Sequence, residues 1–171
     1  MKAYTYIFLF FTFIASSALA QNQGYVLEHN EGEVLLNGGI IVKASPQQGS
    51  QGGEMVLQTM TPGFSTGRHV HLKADEFFYI VDGAGIVVLG GHKEIIIEAG
   101  DVVFVPKGHD HKLVNTGKEN PLELIFFLDK PGLAETFRKM HQRFRESDEQ
   151  MTLKQLNKIA KKYGTVFKTL K

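Results

Sequence analysis

Ten positions between Gly63 and Asn115 combine residue types that hold metal ions with residue types that fix the direction of the backbone. Gly63, His69, His71, Glu76 and Gly83 read G-x5-H-x-H-x4-E-x6-G, and Gly100, Pro106, Gly108, His111 and Asn115 read G-x5-P-x-G-x2-H-x3-N. Three imidazoles and one carboxylate make a donor set of borderline hardness, suited to iron, manganese, nickel, copper, cobalt or zinc. The chain has no Cys, so thiolate ligation and iron–sulfur clusters are excluded.

These donors need particular elements to bring them together. Side chains alternate along a strand, so His69 and His71 point the same way and offer two imidazoles to one ion. Glu76 lies an odd number of residues beyond His71, and a straight strand would aim it at the other face. The chain must therefore turn within Leu72-Lys73-Ala74-Asp75. Glu76 then opens a new strand with Phe78 and Ile80 on its own face, ended by a second turn at Asp82-Gly83-Ala84-Gly85. His111 arrives from far along the chain, directly after the sharp Pro106-Lys107-Gly108 loop.

The two motifs resemble the cupin family at every specified position, and the resemblance covers about Gly24 to Leu128. It implies an all-β cupin double-stranded β-helix, a jelly-roll barrel. Inside it His69, His71, Glu76 and His111 would hold one divalent transition metal and leave two adjacent coordination positions open. One would take a small substrate chelated through oxygen, the other dioxygen or water. Among relatives the quercetin dioxygenase-like cupins are similar, and the germin-like oxalate oxidases less so. A metal-bound carboxylate that detaches is also a base, which makes Glu76 the candidate catalytic residue. Two other functions fit the same motifs. One is a small-molecule or sugar isomerase, for which His109 and His92 are the spare proton carriers, although both read as surface residues. The other is a metal- or ligand-binding module without turnover. Arg68 falls on the face opposite His69 and is not a clamp for a substrate carboxylate.

Short apolar runs separated by turn residues agree with a barrel. They are Tyr25–Leu27, Val34–Leu36, Ile40–Val42, Met55–Leu57, Ile86–Leu89, Ile95–Ile97, Val102–Val105, Leu113-Val114 and Leu122–Leu128. Asn37-Gly38-Gly39 reads as a tight hairpin turn, and the Gln- and Gly-rich stretch from Ser45 to Gly53 as a flexible, solvated connection. Parity places Phe78, Ile80 and Leu113 with the ligands, giving the pocket an apolar wall. The same parity turns Phe77, Tyr79 and Val81 outward as an apolar face suited to a homodimer.

The ends differ from the middle. Lys2, the apolar run Tyr4–Ile14 and Ala18-Leu19-Ala20 have the layout of a signal peptide over residues 1–20, cleaved near Ala20. That predicts an exported protein, periplasmic or secreted, with no stable membrane anchor. The barrel would then occupy residues 21–130. Of the 19 Lys and Arg and 18 Asp and Glu, the 1–20 segment contains only Lys2, so the remainder is electrically balanced and gives no sign of a nucleic-acid partner. Residues 131–171 form a basic, helical C-terminal extension. Leu133, Phe137, Met140 and Phe144 recur at helical spacing behind Pro131. A second helix opens on the capping-box pattern Thr152-Leu153-Lys154-Gln155 and stops at Gly164. Their apolar stripes would pack on the barrel and their basic faces would meet solvent.

Overall fold

Between Glu33 and Leu128 the alternating segments become ten strands: β1 (Glu33–Leu35), β2 (Ile40–Ala44), β3 (Glu54–Met60), β4 (His69–His71), β5 (Glu76–Asp82), β6 (Ala84–Leu89), β7 (Lys93–Glu98), β8 (Val102–Val105), β9 (Asp110–Val114) and β10 (Leu122–Leu128). Two helices, α1 (Leu133–Glu146) and α2 (Leu153–Ala160), and a last strand, β11 (Thr165–Phe167), complete the chain. The computed structural model describes residues 24–90, 93–147 and 149–170. The expected signal segment and His92 lie outside the described residues.

All strand pairs are antiparallel, and they build two sheets, β1-β2-β3-β10-β5-β8 and β11-β4-β9-β6-β7. Residues of period two explain which faces meet. Along β5, Glu76, Phe78 and Ile80 are buried, whereas Phe77 and Tyr79 are 40% and 50% exposed. The facing sides of the sheets enclose Val42, Val56, Ile80, Leu113, Leu124 and Phe126, each at most 2% exposed. Burying such side chains contributes about 1.5–3 kcal/mol each, and this core positions everything that follows. Among the described residues no helix is long and apolar enough to cross a membrane.

Three expectations need correction. Tyr25–Leu27 is not a strand: these residues are exposed, and Lys43 holds the segment after them through the carbonyls of Glu28, His29 and Glu31 instead of a ladder. The turn between β1 and β2 is wider than a two-residue hairpin, since Leu35 pairs with Ile40 and both Leu36 (φ 50) and Asn37 (φ 57) are left-handed. The Ser45–Gly53 stretch is partly ordered: Pro46–Gln48 forms a 3-10 turn, capped by the fully buried Ser45 hydroxyl, which accepts from the Gln47 N–H.

The extension is tied to the barrel by polar contacts that sequence periodicity does not display. Glu54, at the start of β3 and 1% exposed, accepts hydrogen bonds from the N–H groups of Gly132, Leu133 and Ala134 at 3.0, 2.5 and 3.1 Å. A carboxylate there satisfies the unpaired donors of the α1 N-terminus and suits its dipole. Arg138 then bonds Glu33 of β1, its Nε lying 2.8 and 2.9 Å from the two carboxylate oxygens. The predicted capping box of α2 is present, with Gln155 N–H donating to Thr152 Oγ1 and Thr152 N–H to Gln155 Oε1. A 3-10 turn, Lys161–Tyr163, extends that helix to Gly164, whose φ of 89° reverses the chain into β11.

Candidate metal centre

Three strands carry the four donors. β4 and β9 are neighbours in one sheet, with His69 opposite His111, and β5 brings Glu76 from the other sheet. The turn demanded by parity occurs at Leu72–Asp75 and is fixed at both ends. Gly108 N–H donates to His71 O at 2.7 Å, Asp75 N–H to Asp129 Oδ1 at 2.9 Å, and Lys107 N–H to Asp75 Oδ1 at 2.7 Å. The Pro-x-Gly loop of the second motif thus holds the turn of the first. The motif's Gly83 has φ 83°, and a Cβ there would stand 2.5 Å from the Pro121 carbonyl oxygen, so no other residue fits. Asn115, 1% exposed, donates to the carbonyls of Met60 and Asn120 and accepts from Gly117 N–H, tying β9 to the chain on either side.

His69, His71, Glu76 and His111 are all buried, and each presents a ligand atom within 4.8 Å of the others, a group that can hold a metal ion. Glu76 Oε2 lies 2.9 Å from His111 Nε2 and 3.2 Å from His71 Nε2. These three atoms are buried and none makes a properly directed hydrogen bond. Buried polar atoms without partners are costly, and their convergence on one point is what a cation would relieve. The opposite ring nitrogens are engaged: His69 Nδ1 with Gly67 O at 3.0 Å, His111 Nδ1 with His109 O at 3.3 Å, and His71 Nδ1 with Thr165 Oγ1 at 2.9 Å. Each imidazole is therefore oriented with Nε2 inward.

Electrostatics favour the ligating forms. Burial, then the neighbouring His111 and His71, pushes His69 down to about 3, so its ring is neutral near pH 7. Burial works to raise Glu76, but the imidazoles of His71 and His111 outweigh it and hold the carboxyl well below the usual range. A neutral imidazole beside an ionised carboxylate is the state a divalent ion requires.

The centre opens into a cavity of about 690 Å³ whose wall includes His69 and Glu76. Phe78 and Leu113 line it as parity predicts, while Ile80 is fully buried in the core and does not reach it. The remaining wall was not legible from the motifs. Phe64 and Phe126 come from the barrel, and Leu133, Phe137, Met140 and Phe144, the apolar stripe of α1, close one side. Polar side chains are set among them, including Gln58, Thr59, Thr66, Arg145 and His141; His141 Nδ1 accepts from the Leu36 N–H. His109 is exposed and faces solvent with its side chain. Arg68 pairs with Asp110 at 3.0 Å, away from the ligands as expected.

Residues 56–128 match the family model described as the cupin domain. The oxalate-binding protein of Thermotoga maritima is 41% identical over 58 residues, 34% of this chain and 47% of that protein. The glucose-6-phosphate isomerase of Thermococcus onnurineus is 42% identical over 62 residues, 33% of each chain. This chain thus spans at most about half the length of these curated relatives. Among solved structures, a protein with a double-stranded β-helix domain from Klebsiella pneumoniae shares the fold, with a TM-score of 0.52 and 20% identity over 63% of this chain and 90% of that one. Both motifs fall within the matched segment, and residues 56–128 carry a cupin domain.

Proposed function

We propose that this cupin is a metal-dependent oxidoreductase of the dioxygenase-like kind, acting on a small organic molecule with an oxygen-bearing end and an apolar body. The observation that carries the reading is the junction of two features: converging, unpartnered Nε2 and Oε2 atoms, and a largely apolar cavity whose wall includes Glu76. His69, His71, Glu76 and His111 would hold one divalent first-row ion, which when bound supplies Lewis-acid and redox chemistry.

The chain's own residues do the rest. Phe78, Phe126 and Phe137 exclude water around the bound molecule and receive its apolar part. The inward imidazoles set the side from which its oxygen approaches. Glu76, in the cavity wall, accepts the proton of a substrate hydroxyl, which leaves the oxygen as a better donor. The wall is mostly apolar, with Phe64, Phe78, Phe126, Phe137 and Phe144 beside the polar Gln58, Thr59 and Arg145. This favours a substrate with an apolar body over a sugar and makes the isomerase reading the weaker one, though a relative is an isomerase. The name of the oxalate-binding relative supports a non-catalytic binder as the second alternative.

Oxygen uptake in the presence of enolic aromatic compounds tests the reading: consumption that depends on the metal and on Glu76 supports it. Turnover of the same compounds without oxygen supports an isomerase, and retention without product a binder. The proposal extends to an exported protein, from the residue pattern over 1–20. It extends also to a homodimer through the face bearing Phe77, Tyr79 and Phe104, with 40%, 50% and 48% exposure.

A further inference from the structure

The short strand β11 reaches the candidate centre from the far end of the chain. It adds to the free edge of β4, pairing Thr165 with His71 and Phe167 with His69. The placement is held from several sides. Leu72 N–H donates to Gly164 O at 2.7 Å and Lys168 N–H to Arg68 O at 2.7 Å. The Asn157 side chain of α2 bonds the backbone of Phe167 twice, its Nδ2 donating to the carbonyl and its Oδ1 accepting from the N–H, both at 2.8 Å. Lys168 pairs with Asp110 of β9. Even Gly67 fits this arrangement: its φ is 71°, and a Cβ would lie 2.7 Å from Thr169 O. Phe167 lays its ring along that of His69, with centroids 5.1 Å apart and planes 23° from parallel.

The three histidines differ in what faces Nδ1. Gly67 O and His109 O only accept, so His69 and His111 carry their proton on Nδ1 and present a lone pair at Nε2. His71 faces the Thr165 hydroxyl, which can donate or accept, and among the described residues that hydroxyl makes no other hydrogen bond. Thr165 is 1% exposed, so water does not take over its role.

We propose that Thr165 is a positioning residue of the metal centre: in the loaded protein it accepts the His71 Nδ1–H, which aims the Nε2 lone pair at the ion. On this inference, which rests on the reading of the four donors as a metal site, the helical extension is a working part of the centre, because α2 and β11 deliver the hydroxyl.

The test compares Thr165→Val, which keeps the shape and loses the hydroxyl, with Thr165→Ser, which keeps the hydroxyl. Affinity for Zn(II) and Co(II) is measured by chelator competition on full-length metal-free protein, the Co(II) visible spectrum is recorded, and melting of the metal-free forms is followed in parallel. We expect T165V to bind about 10–100-fold more weakly with an altered Co(II) spectrum, and T165S to restore both. If T165V does not fold, Thr165→Ala takes its place beside T165S. Wild-type affinity and spectrum in a folded T165V or T165A would overturn the role of Thr165 and leave the metal site standing. Failure of the wild-type protein to bind either ion would overturn both.

Discussion

Glu76 Oε2 and His111 Nε2 stand 2.9 Å apart, on strands of opposite sheets, and neither atom has a directed hydrogen bond. The contact joins the two layers of the barrel through their least comfortable groups. Without an ion, its stability depends on protonation.

The sign of that dependence follows from His69 and Glu76. His69 falls from its ordinary 6.5 to about 3 in the fold, so between those values the unfolded chain binds a proton that the folded one refuses. Glu76 is also lowered, so its contribution is present above the ordinary 4.5 and is lost as pH falls through the folded value. Both act in one direction: the melting temperature of metal-free protein should fall as pH drops from about 6.5 toward 3. His69→Phe removes one of the two titrations, and the slope of melting temperature against pH should flatten. An unchanged slope would show that His69 does not titrate across this window.

The helix cap offers a second check. Glu54→Ala removes the acceptor shared by three N–H groups at the start of α1. The loss should be about 2 kcal/mol, with faster hydrogen exchange confined to α1 and the residues packed on it. Uniform exchange changes across both sheets would contradict a local anchoring role.

What could be read from the residues alone, and what could not, divides along physical lines. Strand parity between His69 and His71, and its failure at Glu76, forced the turn at Leu72–Asp75, and the motif glycines marked backbone turns as well as chemistry. Tyr25–Leu27 misled because three apolar residues carry no information about whether a partner strand lies alongside. Ile80 has the right parity but sits too far along β5 to reach the cavity, and depth along a strand is not encoded in alternation. Thr165 and Phe167 were invisible for a different reason. β11 has three residues, and its register is set by Asn157 of the preceding helix and by two long-range bonds, Leu72 N–H to Gly164 O and Lys168 N–H to Arg68 O. The stripe on α1 was legible, but whether it filled the core or walled a cavity was not.

That last distinction yields a prediction from two phenylalanines. Phe126 is 2% exposed and packs in the core, whereas Phe144 is 41% exposed at the edge of the same cavity. Phe126→Ala should cost about 3–5 kcal/mol in denaturant unfolding. Phe144→Ala should change stability by no more than about 0.5 kcal/mol. It should nevertheless weaken binding of a hydrophobic ligand, measured by titration with an aromatic probe. A Phe144→Ala protein that binds such probes as well as the wild type would remove Phe144 from the binding site.

Elemental analysis bears on all of this at its root. The wild-type protein, prepared from its native compartment without chelators or a polyhistidine tag, should contain close to one equivalent of a first-row transition metal per chain. His71→Ala should fold with most of that metal gone. A wild-type protein that is folded and metal-free, or a His71→Ala protein that keeps its full equivalent, would contradict the assignment of His69, His71, Glu76 and His111 as one metal centre.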